Sequence, residues 1–143
     1  MTEDEKRNAA HRFLAHLYNA RRCRKELEAR VRFHEHAAAI LGCSDLDKLT
    51  PTGRHYEGLT VLRELRDRLR DEIQRDADDL DRLLHIALIS PKVEVVVHHN
   101  LDRWTWDKIA MKMCYSVRGV RRMENVGLLM VYEIFIARSL EQL

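Results

Sequence analysis

Three arginines, Arg118, Arg121 and Arg122, stand close together in a stretch poor in acidic residues: positions 116–131 hold three basic side chains and one acidic one. A guanidinium bonds two acceptors on a guanine edge or pairs with a phosphate, so arginines on one helix face suit nucleic-acid recognition. Ser116 precedes them, where its hydroxyl can cap a helix beginning at Val117, touch phosphate, or do both. Thr105 is placed to cap a preceding helix, and Asp107 in its first turn suits the helix dipole. The candidate double-stranded DNA-binding set is therefore Thr105, Lys112, Ser116, Arg118, Gly119, Arg121 and Arg122. Arg118 and Arg121 are assigned to bases, and Lys112, Ser116 and Arg122 to phosphates. Gly119 costs about 1 kcal/mol of helicity against alanine. Two reasons for it stand side by side: approach of a DNA backbone, or close packing on the preceding helix.

Other chemistries find no support in the residue pattern. The sequence contains no nucleophile elbow, phosphate-binding glycine loop or catalytic dyad, so an enzyme is not expected. Eight histidines raise the question of a metal, with His11/His16, His34/His36 and His98/His99 as the pairs to consider. None has ligand spacing with a partner motif, and surface positions on charged helices are expected instead. The acidic cluster Asp76, Asp78, Asp79 and Asp81 lacks the glycine and ligand order of a calcium loop and reads as a solvated helix face. Cys23, Cys43 and Cys114 are odd in number and form no C-x-x-C pair, which fits a reducing cytoplasm. Neither metal nor cofactor is expected.

The elements that would position these residues follow from spacing. Ile109, Ala110 and Met113 form one inward face, Cys114-Tyr115 interrupts it, and Val120 and Met123 resume it beyond Ser116. Apolar, small, apolar, short turn, apolar, apolar is the spacing of a helix-turn-helix. Trp106, so near Ile109, is expected in the core; base stacking is the other use for the Trp104/Trp106 pair.

The rest of the chain is helical by exclusion and by periodicity. With only 5 Gly and 2 Pro in 143 residues, it lacks the turn residues a β-sandwich or barrel needs. Phe13, Leu17, Ala20, Leu27, Val31, Ala38 and Leu41 make one heptad-type stripe, with Arg24 and His34 as its polar interruptions. Gly42 is placed as a C-cap, and 42–53 reads as a loop. Leu59, Leu62, Leu69, Ile73, Leu80, Leu83 and Ala87 repeat the pattern, interrupted at Arg66 and Asp76, until Ser90-Pro91 ends it. Arg24, Arg66 and Asp76 could set register, but arginines snorkelling at an edge are the more ordinary use. Two such runs would each be about 55 Å long. The predicted fold is all-α: a long antiparallel helical hairpin over 1–91, then a helix-turn-helix domain with a C-terminal apolar helix over 92–143.

Charge follows the same division. Residues 1–91 hold 17 basic and 17 acidic side chains, whereas 92–143 hold 8 and 6, so the net +2 lies in the presumed reader. The polar start MTEDEKRN is unlike a signal peptide. The apolar run Val126 to Ile136 is interrupted by Glu133 and is shorter than the ~20 residues of a membrane span. It should pack on the hairpin or form a dimer interface. A homodimer would match two-fold DNA half-sites.

Residues 80–128 resemble the RinA/ArpU type of phage late-transcription regulators, whose C-terminal part is similar to the final helix-turn-helix domain of sigma factors. The matching positions are Val93, Val96, Val97, Leu101, Thr105-Trp106-Asp107-Lys108-Ile109-Ala110, Met113, Tyr115-Ser116, Arg118, Val120 and Leu128. The helical region ahead of them is similar in size and arrangement. Cys114 departs from the pattern where glycine is usual, Gly119 where a hydroxylated residue is usual, and Glu124 where histidine or a basic residue is commoner. A carboxylate at 124 would repel phosphate, so it should face away or lower nonspecific affinity. The resemblance implies sequence-specific DNA binding in phage or prophage gene control, in the bacterial host cytoplasm. The near-neutral total charge and Glu124 also admit another reading, a helical adaptor that binds RNA polymerase or another protein without binding DNA.

Overall fold

A computed structural model describes residues 1–41 and 54–141; Gly42, Gly53 and the expected loop 42–53 lie outside the described residues. Among the described residues every regular element is a helix: α1 (Glu3–Leu41), α2 (Arg54–Ile89), α3 (Pro91–Asn100), α4 (Trp106–Met113), α5 (Val117–Val131), a π-helical segment Tyr132–Ala137, and α6 (Arg138–Glu141). The expected all-α class is therefore the observed one.

Helix boundaries have local causes. At the start of α1, the Thr2 hydroxyl accepts from the Glu5 amide at 3.2 Å, while the Thr2 amide donates to Glu5 Oε2 at 3.1 Å. That reciprocal box satisfies amides with no partner inside the helix. Between α2 and α3, Ser90 is extended (φ −110°, ψ 112°) because Pro91, at the first turn of α3, excludes the α region for the residue before it. Among the described residues, no helix is long and apolar enough to cross a membrane.

The chain forms two compact units. One comprises residues 22–77. In it Val31 and Ala38 of α1 are buried, Leu27, Leu62, Leu69 and Ile73 are half-buried, and Arg70 pairs with Glu35. Arg24 is exposed and bonds Glu28 on its own helix at 3.1 Å, while Arg66 turns to its neighbour Asp67 at 3.1 Å. Both arginines thus find partners along their own helices, as edge residues do.

The other unit comprises residues 1–21 and 78–143. Its core joins Ala10, Leu14 and Leu17 of α1 to Leu83 and Ala87 of α2, Val93, Val96 and Val97 of α3, Leu128 and Val131 of α5, and Tyr132 and Phe135 beyond it. Phe13 stacks on Phe135 with centroids 5.1 Å apart. The C-terminal apolar run packs on the N-terminal helices, one of the two destinations expected for it. The division expected at Pro91 is a break between helices, while the compact unit runs across it. The reason is apolar: α3 and α5 each bury a face that the short helices around them cannot cover.

Where α5 crosses α3 the approach is backbone to backbone. A Cβ on Gly127 would lie 2.4 Å from the Lys92 carbonyl oxygen and 2.6 Å from Val96 Cγ2. Only glycine permits that contact.

Candidate nucleic-acid interface

Helices α4 and α5 are joined by the short turn Cys114-Tyr115-Ser116, and the helix starts are built as the sequence suggests. Thr105 is extended, and its hydroxyl accepts from the Lys108 amide at 3.3 Å. Ser116 is extended, and its hydroxyl accepts from the Gly119 amide at 3.0 Å. Between them, Cys114 adopts the left-handed conformation (φ 59°, ψ 37°), and the Tyr115 amide donates to the Ala110 carbonyl at 3.1 Å. This closes α4 as glycine usually does, and explains why glycine would be the ordinary occupant.

A second apolar cluster fixes the two helices. Ile109, Ala110 and Val120 are buried with Val95 of α3, and Trp104, Trp106, Met113, Val117 and Met123 pack around them half-buried. The inward residues expected from spacing are thus brought together, Trp106 included.

Arg118, Arg121 and Arg122 are exposed and have no ion-pair partner among the described residues, with Arg118 and Arg122 lying opposite that cluster. Arg118 and Arg122 share their face with exposed Asn125, at i, i+4 and i+7. Asn125 was legible from that spacing, and its amide is a donor and acceptor for an adenine edge. Arg121 sits at the side of this face, its guanidinium carbon 5.5 Å from the centre of the Trp106 ring. Thr105, Lys112 and Ser116 are exposed as well. For Gly119, an added Cβ would meet Ser116 Oγ at 3.2 Å and Tyr115 Cβ at 3.7 Å, with no atom of α4 within 4 Å. Close packing on the preceding helix is therefore not what this glycine serves.

His11, His16 and His36 are exposed as expected, whereas the pair at the end of α3 is not at the surface. His98 is buried between the carboxylates of Asp102 (2.9 Å) and Glu94 (3.3 Å), and lies parallel on the Trp104 ring, centroids 4.2 Å apart. His99 is half-buried, bonds Glu124 Oε1 at 2.7 Å and stacks on Trp106 at 3.9 Å. Consecutive residues at the end of α3 thus back two indoles, Trp104 and Trp106, that alternate in the segment leading into α4. Each indole has one face filled by a histidine. Lys108 and Lys112 lie over Trp104, at 4.2 and 4.8 Å from its centroid.

Glu124 is only 5% exposed and points inward. Besides His99 it accepts from Asn100 Nδ2 at 2.9 Å; Asn100 also donates to the Val96 carbonyl at 2.9 Å and meets His11 Nδ1 at 3.2 Å through its own Oδ1. This buried carboxylate ties α5 to the end of α3 and, through Asn100, to α1. No protein-family model, curated protein or solved structure matches the chain.

Proposed function

We propose that the protein is a sequence-specific DNA-binding regulator of transcription, of the phage or prophage late-gene activator kind, which reads the major groove with α5. The observation that carries this reading is an outward face of unpaired arginines on a capped 15-residue helix, held from behind by α3 and α4. A major groove admits one such helix. Arg118 and Arg121 serve as base-reading side chains, with Asn125 beside Arg118. Lys112, Arg122 and the Ser116 cap face phosphates, and Gly119 leaves room for the sugar-phosphate backbone. A homodimer would set two reading helices on half-sites about one helical turn apart.

The test is a binding titration on the promoter region adjoining the gene, by gel shift at several salt concentrations. Arg118→Ala and Arg121→Ala are each expected to cost about 1–3 kcal/mol and relax specificity at one base position, while Arg122→Ala lowers the salt slope by about 0.9. Unchanged affinity and slope in the Arg118 and Arg121 variants would falsify the assignment.

A second reading has its own observation. Leu88 and Ile89 are 86% and 85% exposed, and Ile89 opens a recess of about 410 Å³ lined also by Pro91, Tyr115, Met123 and Met130. An adaptor would use that apolar surface to hold RNA polymerase. Capture of polymerase with no retention on DNA at low salt decides for the adaptor.

A further inference from the structure

We infer that Trp104 is a shelf that gathers Lys108 and Lys112 into a paired phosphate-binding site, a contact to duplex DNA separate from the arginine face of α5. The natural ligand of this site rests on the DNA-binding reading above; the anion chemistry does not.

Two lysines four apart on α4 ordinarily reach into solvent and away from each other, since like charges at that spacing repel. Here both ammonium groups lie within 4.8 Å of one ring centroid. Stacked parallel on the indole, His98 fills the other face, so the two cations converge on the same outer side. His98 is itself clamped by Asp102 and Glu94, which fixes the shelf beneath them. The ring quadrupole attracts each cation but neutralises neither. Among the described residues no carboxylate pairs with Lys108 or Lys112, although both side chains are exposed and acidic residues are plentiful elsewhere in the chain. Two converging, unneutralised ammonium groups on a rigid apolar base are a receptor for a compact, doubly accepting anion, and a phosphate oxygen pair has that form. In DNA the group in question is a backbone phosphodiester, which fixes position along the duplex without reading sequence. Trp104 acts as a positioning residue, because its indole touches the lysines and not the ligand.

Two titrations of the full chain test this. In the first, inorganic tripolyphosphate is added while the ε-carbon NMR signals of Lys108 and Lys112 and the tryptophan emission are followed. Both are expected to shift in the wild type, and the tryptophan emission is expected to stay unchanged in Lys108→Gln/Lys112→Gln, which lacks the two lysine signals. In the second, affinity for a duplex is measured against salt. The double variant, altered only at exposed positions, is expected to lose about 1.8 from the slope, two phosphate contacts at about 0.9 each, and at least tenfold in affinity. Trp104→Leu keeps every charge, yet is expected to lose most of that slope, with Trp104→Phe restoring it; a merely structural tryptophan would leave the slope alone. Tripolyphosphate bound at the pair with no retention of duplex upholds the site and removes the DNA reading. A duplex bound by the double variant with the wild-type slope overturns the site and leaves the DNA reading standing. If neither probe binds, both fall.

Discussion

Glu124 shows how one side chain can be misjudged from its neighbours in the chain. Set among arginines on the presumed reading helix, its carboxylate looks like a liability toward phosphate. Buried, it accepts from Asn100 and His99 and belongs to the scaffold rather than to the surface. A buried acceptor that loses its role leaves its donors unpaired, and each such group costs about 1–3 kcal/mol. Glu124→Ala is therefore expected to lower stability by about 2–4 kcal/mol in a denaturant titration. Glu124→Gln retains an acceptor for Asn100 and should lose less than half as much. Equal losses from the two variants would mean that the charge of the carboxylate, which glutamine lacks while keeping its volume, is what matters at this position.

At the scale of elements, the crossing of α3 and α5 decides how the arginine face is presented. Gly127 lets the α5 backbone settle against Lys92, whose carbonyl carbon and oxygen are main-chain atoms that cannot rotate out of the way. Gly127→Ala would raise intrinsic helix propensity by about 1 kcal/mol, yet overpacking against a backbone outweighs that gain. A net loss of about 2 kcal/mol is expected, seen as a lower melting temperature by circular dichroism. Gly119 provides the contrast, since its added Cβ would meet a rotatable hydroxyl at 3.2 Å rather than a carbonyl. The short helix α4 is held by different means: a hydroxyl cap at Thr105, a left-handed stop at Cys114, and burial of Ile109 and Ala110.

For the whole molecule, α4 and α5 are not a detachable module. Leu14, Leu17 and Leu83 lie in the same core as Val93, Leu128 and Phe135. Full burial of three leucines amounts to about 5–9 kcal/mol, which is comparable with the entire stability of a small domain. A fragment of residues 92–143 is thus expected to lack a cooperative thermal transition, whereas the full chain melts cooperatively. A sharp melt of the isolated fragment, with dispersed amide NMR signals, would show that the N-terminal helices are dispensable to the fold. The net charge of +2 also belongs to this scale. On the proposed DNA-binding reading, a balance so close to zero disfavours indiscriminate coating of DNA and would place the burden of affinity on site-specific contacts.

The sequence by itself determined the helical class, the break at Ser90-Pro91, the caps at Thr105 and Ser116, and the inward faces of α4 and α5. Each of these is written in local terms: a breaker, a hydroxyl before an apolar run, or a repeat of three and four. It also placed Arg118, Arg121 and Arg122 outside, because the apolar positions of the same helix leave them no other side. Only the tertiary structure decided that His98 and His99 back Trp104 and Trp106, that Glu124 turns inward, that Gly127 meets the backbone of α3, and that the core runs across Pro91. His99 and Glu124 are 25 positions apart, and His11 and Asn100 are 89. No periodicity connects such pairs, since they meet only after apolar burial has brought helices together whose local sequences are indifferent to one another.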